Sequence, residues 1–556
     1  MTSESDILAS TILKRWENLK AKRTTHDCMW EDIRKILDPT AKPIYEASDN
    51  DHTSNRYDVN RLLDVTAMVA CQTCARGQMT YCTPVGEDWF AYDPPHEFID
   101  DENAKNWCCS ATKIAHEYIN ASNFRSEASK TYKNRSAYGI SALYEEWNCE
   151  DQGLVFKEYE IGSYWCEENY RGKPDTIFIL FKLTPRQASQ MFDELPERLC
   201  KEASDARKQD VDQDFLHVVF PRKDRDAERE DNKNLPFASY YISIKDKKIL
   251  RESGFDDFPF YVNRWDRWGN SVYGFGPGLM TLPTSKQLNF LEAMADYSCE
   301  KATFPPTLVP AGYKYDVSSY PGGVTIYDAG MESNKPTEWQ TGNGYQFNKD
   351  RIESKKAVVE DIFFVSIFRS ITEQTKQMTA LEVSERVNEG LALYHPIFSI
   401  STDELYTPML KRTLALLMEN GAIEPPPESL YVKNEKGSIV GIKEPRVMYN
   451  SKIALALRAQ SLKRFDLVMQ VLSTAAQFKP EILDVINFEK RIPDLCRSIG
   501  EDPAYINKED EIKDMRVARQ QAAAVAQAPS QMKDMGAAVK NVGGVDQVEA
   551  LMGQMQ

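Results

Sequence analysis

Residues 283–310 read PTSKQLNFLEAMADYSCEKATFPPTLVP, and residues 349–368 read KDRIESKKAVVEDIFFVSIF. In the first stretch Leu288, Leu291, Met294, Ala295, Ser298 and Ala302 recur at spacings of three and four, which places one apolar side on an α-helix. Pro283 and Thr284 open that helix, because a proline in the first turn gives up an N–H that has no partner there, and Pro305 with Pro306 end it. The second stretch predicts another long helix, from about Lys349 to Phe368. Between them Thr307 to Phe347 is extended, with Val309, Val317, Val324 and Ile326 punctuated by Pro310, Gly322, Gly323 and Gly330. The order is helix, small β-rich insert, helix. Each helix reaches roughly 30 Å at 1.5 Å per residue, so the two can run side by side and hold the insert away from the body.

On the C-terminal side a polar break at Ser370 to Gln377 leads to Thr379 and Glu382, which form a capping box. A helix is expected from Met378 toward His395, where Pro396 interrupts it, and a further one from Asp403 to Asn420, closed by Gly421. Glu424 to Pro427 is a stiff connection. Ser451 to Gly500 reads as a helical module, and the residues after Glu511 as a helical or disordered tail.

On the N-terminal side residues 7–37 have a helical pattern that Asp38 and Pro39 stop, residues 41–58 are polar loop, and a second helix is expected from Tyr57 to Met79. A helical pair over 103–138 follows. The pattern then changes to strands at Val155–Tyr159, Thr176–Leu183, Phe215–Phe220 and Ser239–Ile244, with the densely charged stretch 201–233 read as a solvated face. The fold class is therefore mixed α+β, mainly helical.

The chain has 556 residues, more than one core serves, so three to five modules are expected. Apolar residues make up 42% and charged residues 27%, the balance of a folded soluble protein. A net charge of −16 repels nucleic acid on average and argues against a sequence-specific DNA binder. It does not exclude DNA as cargo, because a sliding duplex needs weak contact at every step. The 11 cysteines, with no secretory signal ahead of them, read as reduced thiols. The apolar run Ile362 to Phe368 is too short to cross a bilayer, so no membrane is implied.

The motifs that suggest catalysis fail in detail. Gly274-Phe275-Gly276-Pro277-Gly278 lacks both dinucleotide spacing and the Lys-Ser/Thr of a phosphate loop, and reads as a turn before the Pro283 helix. His116-Glu117 has Asn120 where a zinc protease needs its second histidine. Cys71 and Cys74 have half-site spacing without a second pair and read as buried thiols on a helix, and Asp256-Asp257 are adjacent and do not converge on one ion. With six histidines in total, neither an enzyme nor a cofactor or metal site is expected.

The ordered segments resemble the head-to-tail connecting (portal) proteins of short-tailed bacteriophages, the podoviruses. The resemblance rests on Arg61 to Ala67, Thr83-Pro84, Trp89-Phe90, Pro259-Phe260, Arg264-Trp265, Tyr273 to Pro277 and Leu282-Pro283. It continues with Phe304 to Pro310, Pro321-Gly322-Gly323, Met378 to Val383 and Glu385-Arg386. It implies a ring of twelve copies around a central channel at one capsid vertex of the virion, made in the host cytoplasm. Residues 1–280 would form the wing, 281–303 and 347–369 the stem helices, 304–346 the clip, and 370–377 the tunnel loop. Residues 378–445 would complete the wing, 446–510 form a helical crown, and 511–556 the tail.

By the same resemblance Arg369, Thr372, Glu373, Gln374 and Lys376 would face the DNA, and Tyr313, Lys314, Tyr315, Asp316, Tyr320 and Glu332 would serve docking on the clip. The implied partners are other copies of the chain, double-stranded DNA as cargo, the terminase large subunit, scaffold protein, major capsid protein, and tail adaptor and nozzle proteins. The absence of a nucleotide loop suits this division of labour, since the packaging motor is another chain. A non-viral ring or scaffold protein of the same layout is the alternative.

Overall fold

The computed structural model describes residues 4–44, 60–99, 101–225, 231–269, 271–318, 324–327, 335–338, 344–369, 390, 392–433 and 439–455, with scattered residues between 465 and 519. It divides into two units, Met1–Gln460 and Ser461–Gln556. The first is a mixed helix and sheet assembly. In the second, residues 468–474 are helical.

Helix α1 (Glu4–Leu37) begins the first unit as one 34-residue element. Its N-terminal half packs Ala9, Ile12, Leu13, Trp16 and Leu19 on an antiparallel five-stranded sheet, against Trp165, Phe178, Leu216, Val218 and Tyr240. Its C-terminal half carries Trp30, Ile33, Ile36 and Leu37 into the main core. Arg23 lies between the two cores, buried, with its guanidinium 4.0 Å from the Trp165 ring centroid and 2.8 Å from Asp27. A single helix thus contributes to two separate core clusters.

Helix α2 (Thr66–Cys82) starts later than the expected Tyr57. Residues 62–65 are not helical, because Asp64 Oδ1 accepts the Thr66 N–H at 3.0 Å and so begins the helix locally. Strand β1 (Phe90–Asp93) follows, then the expected helical pair, α3 (Glu102–Ala121) and α4 (Phe124–Tyr138), closed by Gly139 at φ +82°.

Strands β2 (Ile140–Asn148) and β3 (Gly153–Tyr159) precede β4 (Tyr164–Glu168) and β5 (Pro174–Leu183). Short helices α5 (Pro185–Met191) and α6 (Glu197–Ser204) lead to β6 (Gln213–Pro221), β7 (Phe237–Ser243), β8 (Lys248–Phe255) and β9 (Phe260–Arg264). The four expected strands are present as β3, β5, β6 and β7. The sheets are ordered β4-β5-β6-β7-β8 and β3-β2-β9. In β6, Leu216 and Val218 face α1, whereas Phe215 faces Ala188, Phe192 and Leu199 of α5, α6 and the turn between them.

After the two-residue strands β10 (Asp266–Arg267) and β11 (Gly274–Phe275), helix α7 (Pro277–Thr303) begins six residues before the expected Pro283, which lies inside it. Strands β12 (Thr307–Leu308) and β13 (Thr337–Glu338) pair antiparallel in the insert. The single helix expected over 349–368 is two: α8 (Gly344–Ile362) and α9 (Val365–Arg369), broken at Phe363 and Phe364. The helix expected from Met378 lies outside the described residues up to 389. Residues 390, 392 and 393 are helical, the helix breaks at Tyr394 beside the expected Pro396, and Pro396 stands in the first turn of the next: α10 (His395–Ser401) runs through a π-turn (Thr402–Tyr406) into α11 (Thr407–Glu419). Gly421, at φ +70°, closes it as expected, with the Ala422 N–H donating to Leu417 O.

Strands β14 (Tyr431–Lys433), β15 (Ile439–Ile442) and β16 (Arg446–Tyr449) were not expected. Strand β16 pairs with β1, Phe90 opposite Tyr449, so the chain remains packed in the first unit past residue 446. Most of the helical module expected over 451–500, and of the tail, lies outside the described residues.

Candidate functional site

The feature that sequence singled out, a helix pair carrying an insert, is built from glycine upward. The run Gly274-Phe275-Gly276-Pro277-Gly278 lets α7 start against the end of α4. A Cβ on Gly278 would lie 1.9 Å from Ala137 O, and one on Gly274 would lie 2.4 Å from Gly139 O. These glycines serve close backbone approach. Pro277 then fixes the first turn, and the internal Pro283 is accommodated near hydroxyls that bond back along the helix, Thr281 Oγ1 to Pro277 O at 2.8 Å and Ser285 Oγ to Thr281 O at 2.9 Å.

Twenty-seven residues give α7 a length of about 40 Å. Its buried face carries Leu288, Leu291 and Ala295, which share a core with Ile352 and Val359 of α8. Polar contacts fix the pairing. Lys356 Nζ lies 2.8 Å from Glu292 and 3.3 Å from the buried Asp64 carboxylate, and the Glu292 hydrogen bond holds that ammonium above its ordinary pKa. Asn289 Oδ1 accepts the N–H groups of Leu63 and Asp64, both at 2.9 Å. The segment 62–65 is thus tied to α7 and α8 at one point.

On the other side of α7, among the described residues, large apolar side chains stand exposed. Phe290 (62% exposed), Met294 and Tyr297 (59%) lie at i, i+4 and i+7, one continuous apolar stripe.

In the insert, Tyr313 is half-buried and donates its hydroxyl to Ile326 O at 2.5 Å, with its ring edge-on to Tyr315 at 5.8 Å. Lys314, Tyr315 and Asp316 are exposed beside it. Tyr320 and Glu332 lie outside the described residues. So do Thr372, Glu373, Gln374 and Lys376. Arg369, the last residue of α9, lies 3.6 Å from Glu360.

The chain leaves this place at Arg369 and is back beside it at Gly390, where a Cβ would be 3.0 Å from Ile367. Both ends of the intervening segment converge on aromatic rings. Phe364 meets Trp265 at 6.3 Å and Tyr394 at 5.7 Å, and Phe368 meets Tyr394 and Tyr81, each at 5.7 Å. Arg135 lies over Trp265 at 5.2 Å and donates to Gln78 Oε1, Arg264 O and Ile397 O. Sequence reasoning missed this cluster. Its only signal is an arginine on an otherwise buried face of α4, which does not reveal its partners.

The cysteines and the histidine singled out from the sequence are buried. Burial pushes the thiols of Cys74 up to about 11 and of Cys82 to about 12, and that of Cys71 higher still, so they remain protonated among Ser136, Gln78 and Tyr406. His116 stacks on Phe90 at 4.0 Å and bonds to its carbonyl oxygen, and burial holds its pKa below the ordinary value. Among the described residues no group of three or more His, Cys, Asp or Glu is placed to hold a metal, and no helix is long and apolar enough to cross a membrane.

Residues 9–506 match the family model of the bacteriophage head to tail connecting protein, and the chain belongs to that family, the portal proteins of tailed phages. It is similar to the portal protein of Salmonella phage epsilon15, with 27% identity over 529 residues covering 93% of this chain and 92% of that one. It is also similar to the probable portal protein of Bordetella phage BPP-1, with 25% identity over 548 residues covering 96% and 95%. The role these matches support is structural, that of a head-to-tail connector in capsid assembly and DNA packaging.

Proposed function

We propose that this chain assembles as a closed ring of twelve copies at one capsid vertex, with an axial channel through which double-stranded DNA enters and leaves without sequence-specific contact. The observation that carries the reading is the stripe Phe290, Met294 and Tyr297, apolar and exposed on a helix whose other face is packed. A second copy covers such a stripe, and a heterologous contact repeated around a closed ring covers it on every copy without open ends. The net charge of −16 suits a channel that does not grip its cargo.

In this reading α7 and α8–α9 are the stem, so the stem begins at Pro277, and 304–346 is the clip. Residues before the stem and from 378 onward form the wing. Pairing of β16 with β1 favours counting 446–449 with the wing and beginning the crown after Gln460. The clip, presenting Lys314, Tyr315 and Asp316, docks the terminase large subunit during packaging and then tail adaptor and nozzle proteins. Scaffold and major capsid protein meet the ring during shell assembly, after synthesis in the host cytoplasm. Residues 370–377 form the tunnel loop and, with Arg369, face the DNA.

Electron microscopy of the purified protein tests this. Rings with a central hole are expected, with a native mass of about 0.76 MDa for 12 copies of 63.5 kDa. A protein that remains monomeric at every salt and protein concentration overturns it.

A further inference from the structure

We propose that two neighbouring turns, carrying Tyr170 and Trp268, form a basic, aromatic contact that docks an acidic surface of a second copy of this chain, head to tail. The proposal deepens the ring reading and rests on it. Tyr170 stands in the turn between β4 and β5 and is 88% exposed, and Trp268 follows β10 and is 71% exposed. Trp and Tyr are the side chains that most often carry the energy of a protein contact, each burying about 150–250 Å² when covered.

Both turns are held in place. Asn169 Oδ1 accepts the N–H groups of Arg171 and Lys173 at 2.9 and 3.1 Å, and Arg171 Nε donates to the Tyr170 hydroxyl at 2.7 Å. The Trp268 ring lies edge-on to Phe275 at 5.9 Å, and the Ser271 N–H donates to Trp268 O at 3.1 Å. The turns are also tied to each other: Arg267 donates to both oxygens of Glu168 at 3.0 Å, and the buried Arg264 donates to Gly172 O at 3.2 Å. Aromatic side chains presented on a fixed base lose little freedom when they are covered. Beside them lies a cleft of about 400 Å³, walled by Leu19, Lys22 and His26 of α1 and by Asn169, Ser271 and Tyr273.

Charge sets the partner. Within the patch the glutamates are already paired, Glu167 with Arg15 and Glu168 with Arg264 and Arg267. Lys22, Arg171 and Lys173 are exposed and form no ion pair among the described residues, against one exposed carboxylate, Asp266, on residues 265–273. The chain as a whole is the reverse, with 84 acidic and 68 basic side chains. Two copies therefore repel in most placements and attract where this patch meets the acidic remainder of a neighbour. Patch against patch would set the same cations face to face, so a two-fold pair is disfavoured and the contact is head to tail, the kind that closes into a ring. A nucleic acid fits less well, because three cations set among carboxylates do not make a basic track.

Photo-crosslinking of the full-length protein tests it. With Trp268 replaced by p-benzoylphenylalanine, irradiation at about 0.15 M salt should link pairs of chains through an acid-rich peptide that lies outside residues 168–173 and 266–271. Arg171→Glu combined with Lys173→Glu changes exposed side chains only, and should lower the yield of linked pairs about fivefold, as should salt raised to about 1 M. A yield that neither change moves overturns the proposal. A link from patch to patch also overturns it, because the contact is then two-fold. Assembly to the mass of a ring without linked pairs overturns the proposal and leaves the ring reading standing, whereas a chain that stays monomeric at every concentration overturns both.

Discussion

Gly278 lies so close to Ala137 that a Cβ on the glycine would stand 1.9 Å from that residue's carbonyl oxygen. Both groups are backbone inside packed helices, so neither can give way as the end of a flexible side chain would. Gly278→Ala should destabilise the first unit by about 3 kcal/mol. Gly86→Ala, where φ is +79° and nothing lies within 4 Å of the added Cβ, should cost only about 1–2 kcal/mol. Thermal unfolding of the two variants side by side checks this, and equal losses would show that the helix start is not closely packed.

Arg135 is almost wholly buried and satisfies three acceptors on three different segments: Gln78, Arg264 and Ile397. Arg135→Met leaves those acceptors unpaired in the core and should cost about 3–5 kcal/mol in urea unfolding. Arg135→Lys should recover little of that, because one ammonium cannot span acceptors that a guanidinium fork reaches together.

Burial raises the Glu145 carboxyl to about 7, against hydrogen bonds from Thr413 and Tyr261 and the nearby Arg412 that lower it. The folded state therefore holds this proton more tightly than the unfolded state, where the pKa is near 4.5. Glu145 contributes stability that is full below about pH 4.5 and is lost as pH rises through about 7, a change of a few kcal/mol. Glu158, raised to about 7 mainly by burial, adds a parallel slope. Glu145→Gln should remove its own share, so the stability of the variant relative to the unmodified chain should improve between pH 4.5 and 7. A difference that is flat with pH would count against a buried, titrating Glu145.

The double substitution Phe290→Ser/Tyr297→Ser changes two exposed side chains and should leave protomer stability within about 0.5 kcal/mol. It should nonetheless lower the native mass from ring to small oligomer or monomer. A ring of unchanged mass and salt resistance would mean that other surfaces hold the copies together.

Replacement of Thr307 to Phe347 by a Gly/Ser linker should keep the helical signal of the rest of the chain and abolish capture of terminase and tail adaptor. The described part of the insert is joined by a two-residue ladder, Thr307 with Glu338 and Leu308 with Thr337, and the helices on either side pack on each other without it. Undiminished capture in a pull-down would move the docking surface elsewhere.

Much of the layout was written in the sequence by itself. The periodicities of α1, α3, α4 and α7, four of the strands, the glycine that ends α11 and the order of helix, insert, helix are local properties, fixed by side-chain spacing and by which residues tolerate a turn. The ordered short motifs, from Arg61 to Arg386, sufficed to suggest the family. What only the tertiary structure decided depends on residues far apart in the chain. Strand β16 is too short to announce itself, and it exists because β1, more than 350 residues earlier, supplies its hydrogen bonds. Helix α7 begins at Pro277 because α4 offers a backbone surface that only glycine can approach. Arg135 is an ordinary helical arginine until three distant acceptors surround it. The break at Phe364 runs against the local pattern: 349–369 favours one helix, and the rings of Trp265 and Tyr394 outweigh it, because packing of buried aromatic surface exceeds the cost of one left-handed residue.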